Sequence, residues 1–146
     1  MLGLRSKDRT GRASLMASSF LTPLLRSSAG NLTLRHARSG HVIATRILTA
    51  FDSASRRKGL LGRDRLEVGE VLILAPSNAV HTCFMRFALD LAFVARDGRV
   101  VKVCTDVPRW RIALAVRAYA VIEAPAGTFA RAGLAAGDSV VVAGEG

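Results

Sequence analysis

Apolar positions along the chain fall into short runs with a period near two, separated by Gly, Pro and Asp. From Asn31 to Arg35 apolar and polar residues alternate, with Leu32 and Leu34 on one face; Val42–Leu48 alternates less cleanly. Both predict strands, with Gly40 marking the turn between them. Asp52 or Ser53 then caps a short helix through about Leu61, because a side-chain oxygen there satisfies free N–H groups of the first turn. Gly62 ends it. Val71–Ala75 is a continuous apolar run stopped by Pro76, the pattern of a buried strand. Val80–Arg86 and Leu91–Ala95 follow as strands. Asp97-Gly98 then leads into Arg99–Cys104, a strong hairpin signal because both turn residues tolerate positive φ. Ala118–Glu123 predicts a further strand and Thr128–Ala132 a helix of one or two turns stopped by Gly133. Gly137-Asp138 turns the chain into a last strand, Ser139–Ala143. About seven short strands with one or two short helices predict a mainly β fold, a β-sandwich or partly closed barrel. There is no internal repeat or low-complexity segment.

Up to about residue 30 neither period is sustained, so residues 1–30 are expected to be a basic, disordered tail and residues 31–146 one β-rich domain. Within the tail, a positive stretch to Arg12, then Ala13–Leu25 and Ser-Ser-Ala-Gly at 27–30, has the outline of a signal peptide. Its centre is interrupted by Ser14, Ser18, Ser19, Thr22 and Pro23, and Met16 is an alternative start. An untargeted tail and a cytoplasmic location are therefore the expectation.

Half of the 146 residues are hydrophobic, enough for a core, but one Trp, one Tyr and six Phe leave that core to Val, Leu, Ile and Ala. The net charge of +10 is uneven. Residues 1–41 carry seven basic groups against Asp8 alone. Such a field attracts nucleic acid or anionic membrane without specifying a fold. The longest stretch free of charged side chains, Val71–Met85, is 15 residues and holds Pro76, Ser77 and Asn78, too short to span a bilayer. Two cysteines, Cys83 and Cys104, do not make a disulfide framework, and reduced thiols are expected, with one bridge left open.

At this point an ordered set of residues resembles a known family. Arg57-x-Gly59-Leu60-Leu61-Gly62-Arg63 is similar to its opening signature. His81-Thr82-x-Phe84-Met85-Arg86-Phe87-x-Leu89-Asp90 is similar to its central motif, followed by Phe93, Asp97-Gly98 and Val100-Val101. Pro108-x-Trp110-Arg111, Ala120-Val121-x-Glu123-x-Pro125-Ala126-Gly127, Gly133-Leu134 and Gly137-Asp138 complete it. The family is domain of unknown function 192, and the likeness covers about residues 40–145. It implies a mainly β domain of prokaryotes and no assigned activity. Ala88 stands where the family pattern leads one to expect Pro, and Cys83 where an aromatic or another residue is common.

Candidate chemistry concentrates around the central motif. If Val80–Arg86 is one strand, His81, Cys83 and Met85 face one side and Thr82, Phe84 and Arg86 the other. His81 and Cys83 would supply two soft donors, but a closed zinc site needs three or four, leaving only His36, His41 and Cys104 besides Met1 and Met16. Packing of that face into the core is the simpler expectation. Arg86 and Asp90 are expected to pair if buried, since an unpaired buried charge is costly, and Arg111 and Glu123 pose the same question. Trp110 either caps the core or lines a binding surface. Motifs for serine hydrolases, Walker-type phosphate loops, dinucleotide folds and zinc proteases are absent, so no cofactor is expected.

The expectation is a non-catalytic domain that binds a small ligand or partner protein through His81, Thr82, Arg86, Asp90, Trp110 and Arg111. One alternative is a nucleic-acid binder using the basic tail and surface, although no aromatic–basic interleaving supports it. The other is an enzyme or metal protein using His81 and Cys83.

Overall fold

The run Glu70–Leu74 is apolar at four of five positions and buried at all five, which requires cover on both faces. In the computed structural model, which describes residues 19–26 and 31–144, this strand (β4) lies inside a five-stranded sheet. β3 (Arg46–Ala50), β4, β9 (Ala120–Pro125), β6 (Leu89–Val94) and β7 (Val100–Val107) run in that order, antiparallel except for β3 beside β4. β1 (Leu32–His36), β2 (Val42–Ala44) and β10 (Val140–Gly144) form an antiparallel sheet in the order β10-β1-β2. β5 (Ala79–His81) and β8 (Ile112–Leu114) pair with each other as a two-stranded ribbon, and among the described residues with no other strand.

Alternation along the three central strands sends side chains into two cores. Val71, Ile73, Ala92, Val94, Ala120 and Ile122 meet Leu34, Ile43, Val140 and Val142 between the two larger sheets. On the opposite face, Leu72, Leu74, Leu89, Leu91, Phe93 and Val121 are covered by Leu60, Leu66, Met85 and Ala115, with Val80 and Ala113 packed against them. The molecule is mainly β and sandwich-like, with no closed barrel among the described residues. The sheets join where Gly98, at φ +98°, abuts β10; a Cβ there would lie 2.5 Å from the Val140 carbonyl oxygen.

Three short helices complete the described chain: α1 (Thr22–Arg26), α2 (Ser53–Lys58) and α3 (Thr128–Ala132). Asp52 caps α2, accepting from the Ser55 N–H at 2.8 Å and the Ser55 hydroxyl at 2.6 Å. These bonds, the hydroxyl's foremost, hold the Asp52 carboxyl below the usual carboxylate range. The stop is Gly59 at φ +47° rather than Gly62, so the Leu60–Leu61 turn is free to fold over the second core.

Several expectations are corrected. Val42–Leu48 is not one strand. Thr45 and Arg46 turn their N–H groups to the Gly69 carbonyl, and the chain passes there from the small sheet to the large one, which is why its alternation is imperfect. Val80–Arg86 stops being a strand at His81. A turn closed by the Met85 N–H on the Thr82 carbonyl, with Phe84 at φ +64°, follows. Residues up to 30 were expected to lack structure, yet Phe20 and Leu21 are buried in the first core and α1 packs on β10. Leu24 also packs on that core, and the Phe20 N–H donates to the Arg96 carbonyl at 3.0 Å. Residues 1–18 and 27–30 lie outside the described residues, and with them most of the signal-peptide outline and Met16.

Candidate functional site

The six residues singled out from the sequence do not meet at one place. Thr82 is 2% exposed, and its hydroxyl donates to the Pro108 carbonyl at 2.7 Å while accepting from the Arg111 N–H at 2.9 Å. It ties the turn after β5 to the loop before β8. Asp90 is fully buried and accepts backbone N–H groups of Asp106 at 2.9 Å and Phe129 at 3.1 Å. It does not pair with Arg86, which points to solvent and contacts Asp64. The two lie at opposite ends of a turn that sends one inward and the other out. Trp110 and Arg111 are exposed, and Trp110 packs edge-on against Phe84 with ring centroids 4.8 Å apart. His81 alone of the six lines a sizeable cavity.

That cavity encloses about 610 Å³ between α2, the edge of β5 and the second-core face of the large sheet. Leu60, Leu61, Leu74, Val80 and Met85 supply apolar wall; Ser53, Ser77, Arg57, Lys58 and His81 supply polar lining. Arg56 also lines it, but its guanidinium donates to the Phe51 carbonyl at 2.9 Å and the Ala75 carbonyl at 3.3 Å, anchoring α2 to the ends of β3 and β4.

Glu123 belongs to the floor. It sits on central strand β9 with Leu72 and Leu91 as its neighbours across the sheet, and it is 6% exposed. Among the described residues no hydrogen bond or ion pair reaches its carboxyl, although three cationic side chains line the same cavity. Arg111, its suggested partner, is elsewhere on the surface. Burial alone pushes the Glu123 carboxyl up to about 7. The third buried acid is handled differently: Glu70, 4% exposed, is paired with Arg63 at 3.0 Å and Arg46 at 3.3 Å.

One other polar grouping has a structural account. His36 is buried with Nε2 3.1 Å from Asp138, and Ser39 Oγ lies 3.1 Å from Nδ1. The same Nδ1 accepts the Ser39 backbone N–H at 3.2 Å, so the constellation closes the β1–β2 turn. Asp138 is held below the usual carboxylate range, first by the Ala135 N–H and then by His36. Cys83 and Cys104 are free, half-buried thiols. Since β5 ends at His81, Cys83 and His81 do not share a strand face. Among the described residues no three His, Cys, Asp or Glu side chains gather to hold a metal, and no helix is long and apolar enough to cross a membrane.

Segments far apart in sequence converge on the cavity: Arg57–Leu61, then His81 and Met85, then Glu123. All three belong to the pattern that resembles domain of unknown function 192, and the model of that family, described as uncharacterised ACR, matches residues 34–142. The chain belongs to this family. Among solved structures, this DUF192 protein is similar to a protein of unknown function from Novosphingobium aromaticivorans DSM 12444, with 28% identity and a TM-score of 0.65, covering 75% of this chain and 81% of that one. It shares its fold with a Sinorhizobium meliloti 1021 protein described as "a putative transcription regulator", with 23% identity and a TM-score of 0.67, covering 78% and 93%. No curated protein matches the chain. The one signal for the cavity in the sequence is Glu123, a lone acid among apolar neighbours within a DUF192 motif.

Proposed function

We propose that this DUF192 domain binds a small molecule in the cavity floored by Glu123, one that carries an anionic group and a hydrogen-bond donor. The observation that carries the reading is Glu123 itself: a buried carboxyl without a partner, at the base of a cavity large enough for a ligand. An unpaired buried acid lowers stability, so its place is best accounted for by a ligand donor, an amine or hydroxyl, that completes it. Arg57 and Lys58, exposed along the same cavity, suit a carboxylate or phosphate at the other end. Leucine, valine and methionine side chains between them give room for a short apolar body. Binding of this kind agrees with the expected non-catalytic domain but moves its centre from the His81–Arg86 segment and the Trp110 loop to α2 and β9. His81 is kept as a lining residue. Thr82 and Asp90 become supports of the fold.

The test is a thermal-shift screen of the full chain against amino acids, hydroxy acids, sugar phosphates and nucleotides, with Glu123→Gln and Arg57→Ala run alongside. A ligand at a hundredfold excess over its dissociation constant adds about 2.7 kcal/mol, several degrees in a domain of this size. A shift in the wild type that both variants lose supports the reading. A shift they retain, or none with any of the four classes, overturns it. Nucleotides that act only at low salt and regardless of Glu123 would favour the nucleic-acid alternative.

A further inference from the structure

Val80 and Ala113, a directly opposed pair, turn one face of the β5–β8 ribbon to the second core. By alternation the other face carries Ile112 and Leu114, opposite His81 and Ala79, and that face is open to solvent. Exposure at every second position continues in both directions: Trp110 is 59% exposed, Ile112 76%, Leu114 52% and Val116 81%. Phe84, 72% exposed, extends the stripe through its edge contact with Trp110. Both aromatic residues hold φ near +65°, a region bulky side chains rarely adopt. Phe84 and Trp110 are thus held outward in a backbone region that their side chains disfavour, beside a ribbon that has no strand along either edge among the described residues.

We propose that this surface docks the protein onto an anionic membrane. Charge complementarity selects that occupant. Residues 75–88 and 107–119, which build the ribbon and its flanks, contain four arginines and no carboxylate. Arg86 is engaged by Asp64, while Arg109, Arg111 and Arg117 are exposed and make no ion pair among the described residues. Aromatic and aliphatic side chains that protrude among unpaired arginines match the headgroup boundary of an anionic bilayer, where rings sit at the interface and arginines meet phosphates. A second copy of the chain would bring the same arginines against one another. High exposure of every apolar side chain in the stripe describes a projection rather than a groove, which disfavours a helical peptide as occupant.

Trp110 is the single tryptophan, so its emission reports on this surface alone. The full chain is mixed with vesicles of phosphatidylcholine and of phosphatidylcholine with phosphatidylglycerol in equal parts. Expected are co-sedimentation and a blue shift of Trp110 emission with the second vesicle only, both weakening as salt is raised. The double variant Ile112→Ser/Leu114→Ser, at two exposed positions, should keep its thermal midpoint and bind roughly tenfold or more weakly. Sedimentation without an emission shift would assign binding to the basic N-terminal residues and overturn the proposal, as would no binding to either vesicle. A shift with poly-glutamate but not with vesicles would overturn it in favour of an acidic protein partner.

Discussion

Asp90 and Glu123 lie on neighbouring central strands, β6 and β9, and both are buried, yet they are treated in opposite ways. Asp90 faces the first core and receives two backbone N–H groups, one from the β7 end and one from the start of α3. Its carboxylate is fixed by donors that belong to the fold. Glu123, one register position away across the sheet, faces the second core and receives none. The difference separates two uses of a buried acid. One organises loops around itself; the other is left for something the fold does not contain.

Substitutions can break this comparison in order of size. Asp90→Ala strands the buried Phe129 N–H and frees the part-buried Asp106 N–H, and should cost about 3 kcal/mol in urea unfolding; a loss below about 1 kcal/mol would remove Asp90 from its organising role. Glu123→Gln should act in the other direction. A folded carboxyl at about 7 against an unfolded value near 4.5 means wild-type stability is fully present below pH 4.5 and is lost as pH rises through 7. The gap corresponds to about 3 kcal/mol, so the variant should gain up to that much at pH 8 and almost nothing at pH 4. Equal effects at both pH values would show that Glu123 is satisfied in the native state. Thr82→Val removes the hydroxyl that joins two loops and should cost about 1–2 kcal/mol, because the Pro108 carbonyl and Arg111 N–H lose their partner. Arg86→Ala, at an exposed pair, should change unfolding free energy by about 0.5 kcal/mol or less.

Local signals were legible where one residue type does one job. Asp52 caps α2, Gly98 turns the β6–β7 hairpin and Gly133 stops α3, each as its chemistry dictates. The buried run at β4 and the last strand after Gly137-Asp138 follow from pattern as well. What could not be read depends on distant partners. Three-residue strands such as β5 and β8 carry too little alternation to announce themselves, and their pairing joins residues some thirty positions apart. The Arg86–Asp90 pairing failed for a related reason. Proximity in sequence suggested a bond, whereas Asp90 found its donors at Asp106 and Phe129. As candidate chemistry Glu123 was named only as a partner for Arg111, since its lack of a partner becomes visible once β4 and β6 close around β9 and α2 roofs the cavity.

The most direct test of this account is a pH titration of the Glu123 side-chain carboxyl carbon by NMR, assigned by comparison with Glu123→Gln. The account predicts a midpoint near 7, displaced once a ligand from the screen is added. A midpoint near 4.5 would mean that the carboxyl is solvated or paired, and the cavity would lose the feature that marks it as a binding site.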